Sequence, residues 1–225
     1  MMRIAVWDRP LRTGSQRFLA WVNMIFVDHG IFRVLYLNKY QITPNFWRAA
    51  QPTPGQIRAM SLQGIKTIIN LRGGREHGSW PLEKETCFEC RITLMEFVLR
   101  SRGAPDRQAL LDLPAFFDSL TYPVLVHCKS GADRAGLMSA LFMLVNERKT
   151  AAEAAKQLSY RYGHFRFAKT GILDAFVEDY AKNGEAKGIH FMDWVKNYYD
   201  PAALEASFKP SFFSRIFVDK ILKRE

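Results

Sequence analysis

Apolar runs of strand length alternate with helical patterns along the middle of the chain. The runs Ile65–Leu71 and Arg91–Leu99 each predict a strand. A third strand, short and fully buried, is predicted at residues 123–126 (Pro-Val-Leu-Val), and the nearly continuous apolar helix Ala135–Asn146 follows it closely. Strands that alternate with helices favour an α/β fold in which helices flank a central sheet.

Other patterns complete this prediction. The segment Thr43–Gly55 is predicted to be irregular because three prolines interrupt it, and the helical stretch after Pro105 is predicted to be interrupted by Pro114. Further helices are predicted at Gln56–Gln63, Thr150–Tyr162, Thr170–Lys182, Asp193–Tyr199 and, with an amphipathic pattern, Phe212–Arg224.

The stretch Phe18–Leu37 is rich in apolar residues but is not predicted to cross a membrane. It contains Asn23, Asp28, His29 and Arg33, and such groups are costly at bilayer depth. An amphipathic helix that lies either on the protein's own core or on an anionic membrane face fits better. The same two alternatives apply to the C-terminal amphipathic stretch.

The net charge and the number of cysteines indicate which binding partners, metals and cellular locations to expect. A formal net charge of +10 favours anionic partners such as phosphates, acidic lipid surfaces or nucleic acid. No zinc-finger spacing or RNA-binding motif accompanies that charge, so no nucleic-acid partner is expected. Cys87, Cys90 and Cys128 cannot all pair, and the Cys-x-x-Cys spacing lacks a second ligand pair, so no metal is expected. Reduced thiols indicate a cytoplasmic protein. Peripheral contact with the inner face of a membrane is compatible with that location.

The segment from His127 to Arg134 carries the candidate chemistry. A strand ends there, the chain turns through Gly131, and a helix begins. Backbone N–H groups in such a turn, together with the helix N-terminus, suit a tetrahedral dianion. They would also favour the thiolate of Cys128 at the base of the turn. Arg134 offers a planar fork that can hold two phosphate oxygens.

The segment His-Cys-Lys-Ser-Gly-Ala-Asp-Arg resembles the His-Cys-x5-Arg signature of protein tyrosine and dual-specificity phosphatases. Residues 46–180 look like the compact, dual-specificity-like branch, including bacterial members with a stretch similar to Trp47–Pro52. This resemblance implies a cysteine-phosphatase fold and a phosphocysteine mechanism with no cofactor. It assigns nucleophilic attack to Cys128, phosphate binding to Arg134 and a supporting role to His127. The implied phosphate-binding residues are Lys129, Ser130, Gly131, Ala132, Asp133 and Arg134.

The resemblance also implies a division of the chain into three parts. Residues 1–42 are predicted to be an N-terminal helical extension, residues 43–185 a dual-specificity-like phosphatase domain, and residues 186–225 a C-terminal helical extension.

Two features depart from the family's pattern. Members usually carry Ser or Thr directly after the arginine, where the hydroxyl helps the thiolate to leave, but this chain has Ala135. The usual upstream Asp that serves as general acid has no clear counterpart. Asp133 is the leading candidate, since related groups with Asp before the arginine use it as the acid. Asp106, which could instead be a helix N-cap, and Glu96 remain alternatives.

The substrate stays open between two classes. A phosphoprotein, especially one carrying phosphotyrosine, is the first expectation, and a phospholipid or inositol phosphate is the alternative. Lys129 gives a partial indication of lipid head groups. A catalytically weak phosphate-binding module is a third possibility, motivated by Ala135. Arg48 and Arg72, both predicted in loops, and His164 and Arg166 could each either face the site or serve structure alone.

Overall fold

The computed structural model describes residues 7–208, so the predicted helix Phe212–Arg224 lies outside the described residues. The chain divides into two compact units. The first unit comprises the residues up to Val98 together with Thr121–Gly131, and the second comprises Leu99–Leu120 together with the residues from Ala132 onwards. The chain therefore passes from one unit to the other inside the segment that carries the candidate chemistry.

The first unit contains a mixed five-stranded sheet in the order β1-β2-β5-β3-β4. Only β1 runs antiparallel to its neighbour, and the other pairings are parallel. The central strand β5 is buried at every position, which explains its continuous apolar sequence. The strands are β1 (Tyr40–Thr43), β2 (Phe46–Ala50), β3 (Thr67–Asn70), β4 (Thr93–Glu96) and β5 (Val124–Cys128).

Helices α3 (Pro54–Leu62) and α4 (Ser79–Glu89) cover one face of this sheet. Helix α3 begins where the sequence offers a complete capping box, since the Thr53 hydroxyl accepts from the Gln56 amide and Pro54 occupies the first turn. The core between sheet and helices is made of apolar side chains, with Ala49, Ile68 and Leu125 from the strands and Ile57, Met60 and Cys87 from the helices.

The N-terminal segment consists of α1 (Gly14–Val22), a π-helical turn (Asn23–Val27) and α2 (Gly30–Leu35). The segment is helical as predicted, but it breaks at His29, which has a left-handed backbone with φ of 55°. Within the residues that the structure describes, no helix is long and apolar enough to cross a membrane.

The second unit, as far as it is described, is helical. Its central helix α7 (Asp133–Val145) is almost wholly buried. The remaining α-helices are α5 (Arg107–Leu111), α6 (Leu113–Asp118), α8 (Ala151–Ala155), α9 (Ile172–Asn183), α10 (Phe191–Asn197) and α11 (Pro201–Ser207).

Most predicted elements are confirmed, and three predictions are wrong. The segment Thr43–Gly55 is not irregular, because β2 occupies residues 46–50 between its prolines. The helix predicted over Thr150–Tyr162 ends at Ala155, and only a 3-10 turn at Tyr160–Tyr162 follows. Arg48 lies within β2 and not in a loop. The helix α4 was not predicted.

Candidate phosphate-binding site

The segment from His127 to Gly131 leaves the sheet at the carboxyl end of its central strand. Cys128 is the last residue of β5 and lies opposite Ala50 of β2, while His127 lies opposite Asn70 of β3. The cysteine is only 2% exposed. In parallel sheets ligands bind outside this edge, so the fold of the first unit places Cys128 where a ligand is expected.

Three consecutive carbonyl groups of the loop accept hydrogen bonds from the first unit. The Lys129 carbonyl accepts from the Gln51 amide at 3.3 Å. The next two, of Ser130 and Gly131, accept from Asn38 Nδ2 at 2.9 Å and from Arg48 Nη2 at 2.8 Å. In a planar trans peptide the N–H points opposite to the C=O. Anchoring the carbonyls therefore turns the N–H groups of these peptides to the other side of the loop, as an anion-binding turn requires.

Gly131 is the position at which the loop comes closest to β2. Its φ of +73° is a conformation that residues with a side chain rarely adopt. A Cβ on this residue would lie 2.6 Å from the Ala50 nitrogen and 2.7 Å from the Ala49 carbonyl carbon, both backbone atoms of a buried strand. The glycine is needed both for the turn and for the approach of the loop to the sheet.

His127 is held by a buried polar cluster. Its Nε2 lies 2.5 Å from Oε1 of Glu83 on α4, and both side chains are fully buried. The other oxygen of Glu83 accepts from Gln51 Nε2 at 3.0 Å and from Asn70 Nδ2 at 2.8 Å. Burial alone would raise the pKa of Glu83, but His127 and the two amides outweigh it and hold the pKa below its ordinary value. The cluster fixes the strand end from which Cys128 projects.

Asp28, from the N-terminal segment, forms a second buried cluster. Its carboxylate is 0% exposed and pairs with Arg72 through two contacts of 2.8 Å and with Arg33 at 2.8 Å. The Ser79 hydroxyl donates to it at 2.9 Å, and His77 Nε2 lies 3.7 Å away. Burial opposes the charged form, yet the hydrogen bond and charge of Arg72 and the charge of Arg33 hold the pKa of Asp28 well below its usual range.

The Asp28 cluster reaches Lys129 in the loop that follows β5. Lys129 Nζ lies 3.9 Å from the Asp28 carboxylate, so a buried anion already offsets part of its charge. Arg72 is likewise committed to Asp28, and its Nη1 also donates to Gln51 at 3.3 Å. These contacts give Arg72 a structural role and weaken the indication of lipid substrates that Lys129 carried in the sequence.

In the second unit Asp133 forms the start of α7 and is tied to a buried histidine. His164 Nδ1 lies 2.7 Å from Asp133 Oδ1, and its Nε2 lies 2.7 Å from Asp174 Oδ2 on α9. Burial disfavours the imidazolium, but the two carboxylates outweigh it and raise the pKa of His164 to about 9. The histidine is therefore charged at neutral pH and holds α7 and α9 through Asp133 and Asp174.

Arg134 follows in the first turn of α7 and lines a cleft of about 370 Å³ within the second unit. Arg100 and Arg102, from the loop Leu99–Gly103, line the same cleft, and so does Glu205. The structure thus brings two arginines of this loop to the cleft of Arg134. The cleft is therefore suited to more than one negative charge.

The two alternative acids both make local contacts that a structural role explains. Asp106 caps α5, where its Oδ1 accepts from the Ala109 amide at 2.9 Å. Glu96, at the end of β4, pairs with Arg75 through contacts of 2.8 and 2.7 Å. Arg166, also considered at the sequence level, pairs with Glu178 on the surface.

Sequence reasoning missed four residues that shape the site. Asn38, Gln51 and Glu83 bind the loop or its histidine, and Asp28 binds Lys129. Gln51 belongs to the stretch Trp47–Pro52 on which the family resemblance rested, so its position offered a signal. Asp28 is the sole acidic residue between positions 9 and 40, which singles it out as well. Nothing in the local pattern marks Asn38 or Glu83.

Among residues 7–208, no group of three or more His, Cys, Asp or Glu side chains is arranged to hold an ion. Cys87 and Cys90 are both free thiols. Cys87 is part of the core under the sheet, and burial raises its pKa above that of an ordinary thiol.

Comparisons with known proteins agree with this geometry. A family model described as "DSP-PTPase phosphatase fused to NAD+ kinase" matches residues 37–173. Protein tyrosine phosphatase domain-containing protein 1 of Mus musculus is 30% identical over 131 residues, which cover 50% of this chain. The match spans only 18% of that mouse protein and 16% of its Bos taurus counterpart.

Two solved structures share the fold at low sequence identity. TpbA of P. aeruginosa has a TM-score of 0.51 at 18% identity, over 63% of this chain and 84% of that one. The core catalytic domain of the PP-IP phosphatase SIW14 of S. cerevisiae also has a TM-score of 0.51, at 14% identity, over 67% of this chain and 92% of that one.

Proposed function

Since this chain belongs to the family described as DSP-PTPase phosphatase fused to NAD+ kinase, we propose that it hydrolyses phosphomonoesters through a phosphocysteine intermediate. The Cys128 thiolate attacks phosphorus, an S–P bond forms, and the P–O bond to the leaving group breaks. A general acid protonates the departing oxygen. Water then attacks phosphorus, the S–P bond breaks, and inorganic phosphate and the thiolate are released.

The observation that carries this proposal is the anchoring of the loop carbonyls of Lys129, Ser130 and Gly131. With those oxygens held by Gln51, Asn38 and Arg48, the loop amides need no rearrangement when a phosphate arrives. Donors fixed in advance stabilise developing charge at no reorganisation cost. Ala132 and Asp133 continue the loop into α7, whose N-terminus adds partial positive charge.

Arg134 is the residue we assign to the equatorial phosphate oxygens, since a guanidinium can hold two of them at once. His127 supports the nucleophile from the strand, through its bond to Glu83. A substitution of Cys128 by Ser, with its much weaker nucleophile, should abolish turnover of an aryl phosphate. Turnover by the wild type no greater than that of Cys128→Ser would exclude an enzyme and leave a phosphate-binding module.

Asp133 is the general acid in this proposal. Asp133→Asn should slow substrates with poor leaving groups by about 10²–10⁴-fold and spare activated aryl phosphates. A purely structural role, through the bond to His164, would instead slow both substrate types alike. Asp106→Asn and Glu96→Gln serve as matched controls, since each removes a carboxylate with a local partner.

We assign phosphorylated protein, especially phosphotyrosine, as the first substrate class. A phospholipid or inositol phosphate is the second class, and one observation favours it: Arg100 and Arg102 line the cleft of Arg134. Three guanidinium groups suit a substrate with more than one phosphate. The PP-IP phosphatase SIW14 shares the fold, although its low identity carries no substrate assignment.

The two substrate classes are separated by comparing a phosphotyrosine peptide with a soluble inositol polyphosphate and a short-chain phosphatidyl phosphate. The double variant Arg100→Gln/Arg102→Gln should raise KM for the multiply phosphorylated substrate by about tenfold or more while leaving the peptide unaffected. Equal effects on all three substrates would remove the two arginines from substrate selection.

A further inference from the structure

The outer surface of the N-terminal segment is apolar, which is the reverse of an ordinary surface helix. Of the seventeen large hydrophobic residues exposed in the described chain, eleven lie between positions 18 and 36. Phe26, Phe32 and Leu35 are 68%, 69% and 83% exposed. The full set is Phe18, Leu19, Trp21, Val22, Phe26, Val27, Ile31, Phe32, Val34, Leu35 and Tyr36.

Three polar side chains of the same segment, those of Asn23, Asp28 and Arg33, face inward. Asp28 and Arg33 are buried in the cluster with Arg72, and Asn23 Oδ1 accepts from the Gly78 amide at 2.7 Å. Ala20 and Met24 pack with Leu82 of α4. The segment is therefore fastened to the first unit by its polar side chains and presents its apolar side chains to solvent. Contiguous apolar surface of this kind marks an interaction site.

The charges around this surface identify the partner. Between positions 9 and 40 the sole acidic residue, Asp28, is buried, whereas Arg9, Arg12 and Arg17 are exposed. The segment thus combines exposed aromatic and aliphatic side chains with cations and has no exposed carboxylate of its own, although Arg17 pairs with Glu85 of α4. Interfacial helices with this combination bind anionic lipid surfaces. No described helix is long and apolar enough to span a bilayer. The contact that we infer for this segment is with the membrane surface.

We propose that the surface formed by α1, the π-helical turn and α2 docks on an anionic lipid bilayer. The apolar side chains enter the boundary between headgroups and acyl chains, and the arginines contact the headgroups. Asp28 links this surface to the loop, through its contacts with Lys129 and Arg72. Docking would therefore hold the phosphate-binding loop near the membrane. The proposal does not depend on which substrate the phosphatase prefers.

Sedimentation with vesicles tests it, using phosphatidylcholine with and without phosphatidylglycerol. The wild-type chain should bind the vesicles that contain phosphatidylglycerol, and added salt should weaken the binding. Phe26→Glu/Phe32→Glu should weaken it by more than about tenfold. Phe88→Glu is the matched control, since Phe88 is 86% exposed on α4 outside the segment. This control should bind as the wild type does.

Turnover of a soluble aryl phosphate, measured in parallel, keeps this proposal separate from the phosphatase assignment. The variant Phe26→Glu/Phe32→Glu should retain this turnover, and the retained turnover also shows that the variant is folded. Absence of wild-type binding, or equal binding by the wild type and Phe26→Glu/Phe32→Glu, would overturn the proposal. So would a wild-type dimer that the same variant converts to a monomer without any vesicle binding, since a second copy would then cover the surface.

Discussion

The two ends of the loop 127–134 are held by different chemistry. At the strand end, a backbone amide, a side-chain amide and the Arg48 guanidinium anchor three carbonyls, and Glu83 and Asp28 pair with His127 and Lys129. At the helix end, one charged histidine, His164, holds Asp133. Several hydrogen bonds and ion pairs thus hold the strand end, whereas at the helix end the described partner of Asp133 is a titratable histidine.

This difference predicts opposite responses to pH. At the strand end the pKa values of Asp28 and Glu83 are lowered in the folded state. Their contribution to stability is present above the ordinary carboxyl pKa of about 4 and is lost as the pH falls toward the lower folded values. At the helix end the pKa of His164 is raised to about 9. Its contribution is complete below the unfolded pKa and is lost as the pH rises. Of these three groups, His164 is therefore the one whose contribution changes above neutral pH.

The largest effect is expected from Gly131→Ala, which breaks the strand end. A left-handed φ costs about 1–2 kcal/mol for a residue with a side chain, and here the Cβ also meets backbone atoms of β2. We expect a loss of about 5 kcal/mol or more, measured by denaturant unfolding. Gly64→Ala is the control, since φ is +90° there but nothing lies within 4 Å. Equal losses in the two variants would contradict the close approach of loop and sheet.

Asp28→Asn removes the buried carboxylate that pairs with Arg33 and Arg72 in the first unit. Arg33 and Arg72 then lose the buried carboxylate with which both pair, and such a loss typically costs about 3–5 kcal/mol. The control is Asp8→Asn, whose carboxylate is 50% exposed beside Arg75 and should contribute about 1 kcal/mol or less. If both variants unfold at the same denaturant concentration, the cluster does not stabilise the fold.

His164→Gln tests the helix end. The wild-type free energy of unfolding should fall as the pH rises from about 6.5 to about 9, by an amount on the order of 3 kcal/mol. The variant should be less stable at pH 6 and nearly independent of pH over that range. His190→Gln, at an exposed position, should keep the wild-type profile. If the wild-type free energy of unfolding does not change between these pH values, the charge of His164 does not stabilise the folded state.

The fold class and the loop could be predicted because their signals are local. The β5 run, the glycine turn and the helix α7 are consecutive in sequence, so pattern and chemistry coincide within about twenty residues. The family resemblance rested on the same residues. By contrast, β2 was missed because prolines flank it and Arg48 interrupts its apolar pattern, although the side chain is buried and bonded to Gly131.

The supports of the loop could not be predicted because they come from distant positions. Asn38 and Ser130 are separated by 92 residues, and His164 and Asp133 by 31. Hydrogen bonds over such separations leave no period or spacing in the sequence. The apolar face of the N-terminal segment was ambiguous for a related reason: periodicity shows that a helix has two faces, but only contacts with α4 show which face is turned inward.

Ala135→Ser should have the smallest effect, and it sharpens the comparison at the helix end. Ala135 is fully buried in the first turn of α7, and its carbonyl accepts from the Ser139 hydroxyl at 2.7 Å. Without a hydroxyl at position 135, loss of the thiolate from the phosphocysteine should limit turnover, so a burst of aryl alcohol should precede the steady state. Ala135→Ser should diminish the burst and raise the steady-state rate by roughly threefold to tenfold. Ala140→Ser, equally buried on the same helix, should change neither; a wild-type enzyme without a burst would show that Ala135 does not slow the second step.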